Sequence, residues 1–287
     1  MGRLALRPGL RAYAHAPAGA AEAELWTPEE ITTTAWFDAM DTDTIDDSGA
    51  PDYLVSQWDD KSGNAKHAVQ ATGANQPALN ATGFGAGLPT LTFDGVGYPD
   101  FDQLVTPGDT FASSAEVGIF LVFKSLDTAW LQDIIAFAGI GSANRGIGFQ
   151  FNPHTAANTI ESFVWGTSYF TVTHTLGTAD IAGWTRPSVG SAYTSLHLNG
   201  TTTVDTTLKS LTLDYPGSYN HLYLGGYSIW GANAEIAEVV ALSTEPSTAD
   251  RQSLEGYLAW KWDGYSAGTL VGKLPVDHPY KSAAPTL

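Results

Sequence analysis

Between about residues 32 and 245 the chain is a succession of short apolar or alternating runs separated by polar turns, and no strand-like run alternates regularly with a helical one. Parallel βαβ architecture needs that alternation, so it is disfavoured. No period of roughly 20 to 50 residues recurs, which sets aside solenoids and propellers. The run Val117–Phe123 (VGIFLVF) is almost continuously apolar, as expected of a strand buried on both faces. Shorter runs at Ile147–Phe151, Ser162–Trp165, Tyr169–His174, Leu222–Leu224 and Glu235–Leu242 extend the pattern. Asn199-Gly200, between Ser195–Leu198 and Thr201–Val204, is the strongest short hairpin signal, because both residues tolerate the positive φ of a type I′ turn. The 9 Trp, 12 Tyr and 12 Phe, together with abundant Thr, suit pleated, half-buried surfaces. The fold class expected is all-β.

Two stretches depart from this pattern. Ser247–Trp262 (STADRQSLEGYLAWKW) reads as one helix: Ser247 is placed to cap it, Asp250 stands where a capping-box acid would, and Leu254, Tyr257, Leu258 and Lys261 fall at helical spacing. Gly256 is a cost inside it. An amphipathic helix here is expected to lie over the edge or base of a sheet. Residues 1 to about 30 form an Arg/Ala/Pro-rich arm, ending in a turn that Thr27 and Pro28 would start; residues 31–287 form the domain.

The net charge is −17, yet residues 1–21 carry three Arg and no acid, which leaves −20 for the rest. Such a body repels nucleic acid. A basic arm on an acidic body suggests an attachment segment, with Arg3, Arg7 and Arg11 as docking residues, although a solvated terminus is the commoner case. Pro8, Arg11, His15 and Pro17 break any apolar stretch near the start, so it does not read as a secretory signal. No run approaches the roughly 18 apolar residues of a membrane span. With no cysteine, disulfides and thiolate metal sites are excluded.

Catalytic motifs are missing. There is no G-x-S-x-G, H-E-x-x-H or P-loop, and the seven His (15, 67, 154, 174, 197, 221, 278) never fall at metal-ligand spacing. His197 reads as a half-buried sheet residue. Glycoside hydrolysis needs two carboxylates on one cleft. The nearest candidates, Glu235 and Glu238, are three apart on a strand and should point to opposite faces unless a bulge intervenes. Glu161 is isolated, and Glu255 sits on the helix. The chain therefore reads as a non-enzyme without a cofactor. Asp41, Asp43, Asp46 and Asp47, with Asp59, Asp60, Asp100 and Asp102, give oxygen-rich loops of the kind calcium favours. None has EF-hand spacing, solvated turns explain them better, and no residue is assigned as a metal ligand.

Several blocks, in order, carry a family likeness: Ala35–Ile45 (AWFDAMDTDTI), Val55–Leu79 (VSQWDDKSGNAKHAVQATGANQPAL), Leu88–Tyr98 (LPTLTFDGVGY), Leu224-Gly225-Gly226, Glu235–Leu242, the helix, and Leu274–Pro285 (LPVDHPYKSAAP). Together they resemble the laminin-G-like, concanavalin-A-like jelly-roll domains of bacteriophage virion proteins and bacterial surface proteins. Residues 100 to 220 match only as a strand pattern, and the arm does not match. The resemblance implies an all-β, two-sheet antiparallel jelly-roll sandwich with one C-terminal helix. It also implies carbohydrate or cell-surface recognition, in a family with many purely structural members.

In SQWDDKSGN, Trp58 is expected to bury its ring while Asp59, Asp60 and Asn64 hold a tight turn, and in HPYK Tyr280 is expected to tuck against the body. Sugar recognition needs aromatic faces beside amides or carboxylates. Tyr215, Tyr219, Asn220, Tyr227 and Trp230 offer these in one turn-rich stretch, and Trp130, Trp165 and Tyr169 are further candidates. The resulting expectation is a structural or display protein of a phage-like virion, made in a host cytoplasm and oligomeric or part of a larger assembly. Its arm would dock on other assembly proteins, and its jelly roll would meet cell-surface glycans. A free-standing carbohydrate-binding module or adhesin on a bacterial surface is the alternative, and a glycan hydrolase or lyase a more distant one.

Overall fold

The computed structural model describes residues 24–85, 87–95, 101–111, 117–127, 132–138, 146–151, 159–164, 168–186, 194–205, 221–227, 230–263 and 269–287. Among these, two antiparallel sheets make the sandwich. The eight-stranded sheet runs Thr201–Val204, Ser195–Leu198, Ala179–Arg186, Val117–Ser125, Asn233–Leu242, Thr90–Asp94, Ala78–Asn80, with Thr33–Asp38 also paired to Asn233–Leu242. The nine-stranded sheet runs Ser168–Thr173, Thr159–Val164, Gly146–Phe151, Gln132–Ala138, His221–Leu224, Leu104–Val105, Ala68–Val69, Val55–Trp58, Ile45–Asp47. A two-stranded ladder, Gly226–Tyr227 with Trp230–Gly231, stands beside them. The hairpin read at Asn199-Gly200 is present, with φ of 50° and 81° at the two residues.

Strand alternation assigns the faces. Ile236 and Val239 lie opposite Phe123 and Leu121 and point inward; Leu104, Leu222, Leu224 and Trp58 do the same from the other sheet. Phe37 meets Trp58 across the gap, ring centroids 5.5 Å apart. Phe93 packs so close to Gly225 (φ 84°) that a Cβ there would overlap its ring.

The long strand Asn233–Leu242 changes neighbour halfway. Residues 233–236 pair with Thr90–Asp94, and 238–242 pair with Thr33–Asp38. Between them the register to Val117–Ser125 shifts, so that Glu235 lies opposite Lys124 and Glu238 opposite Val122. Lys124 and Val122 share a face, so Glu235 and Glu238 do too. This corrects the expectation from spacing: the bulge exists, and the displaced Ala237 turns its carbonyl to the Ala39 amide at 2.9 Å.

Both acids face the helix Thr248–Trp262, which covers the outer face of the eight-stranded sheet rather than its edge or base. Ser247 caps it, accepting from the Asp250 amide at 3.1 Å and donating to the Asp250 carboxylate at 2.8 Å. Glu238 is fully buried and accepts from Trp36 Nε1 (2.7 Å), Tyr257 Oη (3.0 Å), Lys261 Nζ (2.7 Å) and Trp262 Nε1. Asp38 is its direct cross-strand neighbour and takes Lys261 and Lys61, each at 2.8 Å. Burial pushes the Asp38 carboxyl up, but the two lysines outweigh it and hold the group below its ordinary range. At Glu238 burial wins, and the group is raised although Lys261 pulls the other way.

The helix is not one-sided as its spacing suggested: residues 253–259 and Trp262 are all buried, because the C-terminal tail closes its far side. Tyr280 lies on Gly256, where a Cβ would come within 2.6 Å of Tyr280 Cβ, so the glycine is needed rather than tolerated. Trp260 Nε1 donates to the Tyr280 carbonyl at 2.8 Å, and Lys281 Nζ donates to the carbonyls of Val271, Gly272 and Leu274. In the SQWDDKSGN segment, buried Asp60 accepts from the amides of Trp36, Ser62 and Lys66. Asn64 Nδ2 donates to the Thr33 carbonyl at 2.9 Å, and Lys61 lies over the Trp36 ring. Residues 24–30, grouped with the arm on sequence grounds, are held by the body. Trp26 is buried edge-on to Tyr257, and its amide donates to the Pro285 carbonyl at 3.1 Å.

His197 is buried rather than half-buried, hydrogen-bonded to Thr185 and Thr202. Burial, with Arg251 assisting and Glu255 opposing, lowers its pKa from 6.5 to about 4.

Three stability measurements test this account. Gly256→Ala is expected to cost roughly 1–3 kcal/mol in urea unfolding through overpacking against Tyr280. Gly272→Ala, with open space around its Cβ, should be neutral; equal effects would contradict the tail's role. Lys261→Met leaves two facing carboxylates without their shared cation and is expected to cost about 3–5 kcal/mol, with part recovered on adding Glu238→Gln. His197 stays neutral in the fold while the unfolded chain takes up a proton below 6.5, so it subtracts stability as pH falls from 6.5 towards 4. His197→Gln should therefore lose less stability than the parent between pH 7 and pH 5, read from urea midpoints at both.

Candidate functional site

The acids that could have formed a catalytic pair are occupied. All four donors to Glu238 are protein groups, and Glu235 holds Lys124 and Asn80. Glu255 takes both of its oxygens to Arg251 and lies 3.3 Å from His278 Nε2. Glu161 is buried in Thr159–Val164. With the helix and tail across the eight-stranded sheet, the outer face of the nine-stranded sheet is the broad surface to consider for a ligand.

Backbone register lays one continuous row across that face. Asp46 pairs with Gln57, Gln57 with Val69, Val69 with Val105, and Val105 with Tyr223. From Tyr223 the row passes to Ala136, then Gly148, Phe163 and Tyr169. The inward neighbours Ile45, Trp58, Ala68, Leu104 and Leu222 are all buried, which puts Asp46, Gln57, Val69, Val105 and Tyr223 on the opposite face, where Tyr223 is itself buried. A second row starts His221, Ala138, Gly146. Beside Tyr223 and His221, the strands Gln132–Ala138 and Gly146–Phe151 thus contribute only Ala136, Ala138, Gly146 and Gly148 to these two rows.

Chemically the described half of the face is mixed. Val69 is 45% exposed, an apolar floor bordered by amides. Gln57 Nε2 donates to Asp59 Oδ1 at 2.7 Å, and His67 Nδ1 lies 2.9 Å from the same oxygen. Tyr223 and Tyr227 meet edge to face with centroids 4.9 Å apart, and Gln103 Nε2 fastens their hairpin through the Gly226 carbonyl. Burial pushes the Tyr223 phenol up to about 12, so it remains a neutral donor. His221 lies 2.6 Å from the Thr106 carbonyl through Nδ1 and so is fixed in orientation. Apolar area, an aromatic pair and fixed amides are the parts a sugar-binding surface uses.

Of the residues chosen from sequence, Tyr227 and Trp230 are cross-strand partners in the two-stranded ladder, and Tyr227 joins the row through Tyr223. Tyr215, Tyr219, Asn220, Trp130, Trp165 and the docking residues Arg3, Arg7 and Arg11 lie outside the described residues. Tyr169 falls in the row. Gln57, Val69, Gln103 and Tyr223 were missed: Gln57, Val69 and Tyr223 are single residues of short strands and Gln103 directly precedes one, none with a motif of its own. Of the acidic loop residues, Asp41 pairs with Lys61, Asp47 caps the Gly49 amide, and Asp102 accepts from the Asp94 amide. Burial raises Asp102 to about 7. Asp100 lies outside the described residues. Among the described residues no group of three or more His, Asp or Glu could hold a metal ion, and no helix is long and apolar enough to cross a membrane.

No family model matches the chain, and no curated protein does. Solved structures do match in fold. A Trypanosoma rangeli sialidase in complex with sialic acid aligns with a TM-score of 0.54 at 12% identity, over 77% of this chain and 32% of that one. Domain 4 of a GH43 extracellular arabinanase from Geobacillus stearothermophilus, in complex with arabinotriose, aligns with a TM-score of 0.52 at 13% identity, over 78% of this chain and 98% of the domain. The binding domain of botulinum neurotoxin serotype G aligns with a TM-score of 0.52 at 10% identity, over 78% and 50%. The chain thus spans about a third of the sialidase it matches. At these identities the likeness is one of fold: this chain is an all-β sandwich.

Proposed function

We propose that this chain is a non-catalytic glycan-binding display module whose ligand surface is the outer face of the nine-stranded sheet. The observation that carries the reading is the exposed Val69 floor, set between Gln57 and the Tyr223–Tyr227 pair on the sandwich face that the helix and tail leave uncovered. The absence of catalysis rests on the engagement of Glu235, Glu238 and Glu255 by Lys124, Lys261 and Arg251.

Residues 1–23, with Arg3, Arg7 and Arg11, would dock the module on an acidic partner in an assembly. Glu24 and Leu287 are joined by a backbone hydrogen bond, and neighbouring Trp26 packs on the helix side. Residue 24, where the described chain begins, thus lies on the helix side, away from the proposed ligand surface. The virion setting draws on the sequence resemblance. A second reading, a free-standing carbohydrate-binding module, is favoured by the match to one nearly whole domain solved with arabinotriose.

A glycan array tests the core claim. Binding is expected, and Tyr227→Ala or Val69→Asp should weaken it about tenfold or more, a loss of roughly 1.4 kcal/mol or greater. Circular dichroism should remain native for both variants. An array without binding would sink the glycan reading. Deleting residues 1–23 tests the docking: lost incorporation with glycan binding retained supports a docked module, unchanged incorporation overturns docking through the arm, and a parent chain that joins no assembly supports a free-standing one.

A further inference from the structure

Lys261 Nζ is held at three acceptors at once: Asp38 Oδ1 at 2.8 Å, Glu238 Oε2 at 2.7 Å and Tyr257 Oη at 2.9 Å. Asp38 and Glu238 are buried, and the rings of Tyr257 and Trp262 stand 5.2 and 5.3 Å from the amine. An amine, a carboxyl group and a second carboxylate in contact with one another, walled off from water, have a chemistry beyond pairing. We propose that Lys261 Nζ and Asp38 Cγ join spontaneously in an amide, an internal cross-link between the strand Thr33–Asp38 and the helix Thr248–Trp262, with Glu238 carrying the proton.

Each neighbour has a part in that step. Glu238 accepts a proton from the Lys261 ammonium, and the freed amine attacks Asp38 Cγ. Burial raises the Glu238 carboxyl, with Lys261 opposing, so it is suited to hold that proton. Lys61 Nζ lies 2.8 Å from the other oxygen, Asp38 Oδ2, where it offsets the negative charge of the tetrahedral intermediate. Burial lowers Lys61, but Asp38 and Asp41 outweigh it and raise the group, so Lys61 stays a cation throughout. The lysines that keep Asp38 ionised also draw electron density from Cγ, in place of the proton an acid would carry. The C–N bond forms and the Cγ–Oδ1 bond breaks. Two of the three ammonium protons, one of them returned by Glu238, leave with Oδ1 as water, and the third stays on the amide nitrogen.

In bulk water the separate ions are the stable form. Here burial penalises both of them, and condensation replaces them with a neutral amide and a water released to solvent. Afterwards Lys61 keeps Asp41 at 2.9 Å, and Glu238 keeps the donors Trp36, Tyr257 and Trp262, so neither is stranded. The bond joins residues far apart in a chain that has no cysteine for a disulfide, and it constrains the unfolded state as a disulfide does.

Intact-mass spectrometry of the purified full chain, denatured after folding, tests this. The parent is expected to be lighter than the unmodified chain by one water, and tryptic digestion to yield a branched peptide joining residues 38 and 261. Lys261→Arg, which keeps the cation, should show the full mass. Glu238→Gln, sampled when the parent is complete, should remain largely unreacted. A parent protein that is folded by circular dichroism yet keeps the full mass overturns the proposal. So does a water lost equally from Lys261→Arg, or a branch at Lys61 instead of Lys261. Glu238→Gln reacting as completely as the parent overturns the proton-carrying role.

Discussion

Lys261 stands between Asp38 and Glu238, and most of the helix side of the molecule is arranged around that contact. The two acids are direct cross-strand neighbours, so without a cation they would repel at close range in a dry site. Three further donors, from Trp36, Tyr257 and Trp262, complete the shell of Glu238. These donors come from a strand near the start of the domain and from the helix near its end. The interaction therefore fixes where the helix lies more than it adds net stability, since burying the ions costs about as much as pairing them returns. Its functional consequence is indirect. A helix fastened to one sheet, and a tail fastened to the helix through Gly256 and Tyr280, leave the outer face of the other sheet clear of both.

Local signals in the sequence specify local structure well. Asn199-Gly200 makes its hairpin, Ser247 makes its cap, and Val117–Ser125 is a strand buried on both faces. The same holds for the turn after Trp58, where the side chains of Asp60 and Asn64 bind backbone groups within reach of sequence reasoning. The bulge at Ala237 is different. It arises because Asn233–Leu242 exchanges one partner strand for another, and those partners lie more than a hundred residues away. Nothing within Glu235–Glu238 announces that exchange, so period-two alternation placed the two acids on opposite faces. His197 was underestimated for a similar reason: the helix and tail that bury it are distant in sequence.

The candidate ligand surface was legible only in part. A cluster of aromatics around residues 215–230 is visible by eye, and Tyr227 from it does join the surface. The row itself is assembled from single residues of separate strands, at 46, 57, 69, 105 and 223, each contributing one side chain of ordinary type. Its meaning resides in register, which depends on every intervening turn.

A hydrogen-bonded sheet would offer the proposed glycan surface a scaffold that is formed before the ligand arrives. A floor of strands is already ordered, so binding spends little conformational entropy on the protein side. Deep terminal-sugar pockets solve the problem differently, with converging charged groups. Among the described residues, Lys61, Lys66, Lys124, Lys261, Lys273 and Arg251 are engaged by Asp38, Asp109, Glu235, Glu238, Asp180 and Glu255, where they secure the body of the sandwich. That allocation of charge to structure leaves uncharged groups, Gln57 and Val69 among them, to meet the proposed glycan.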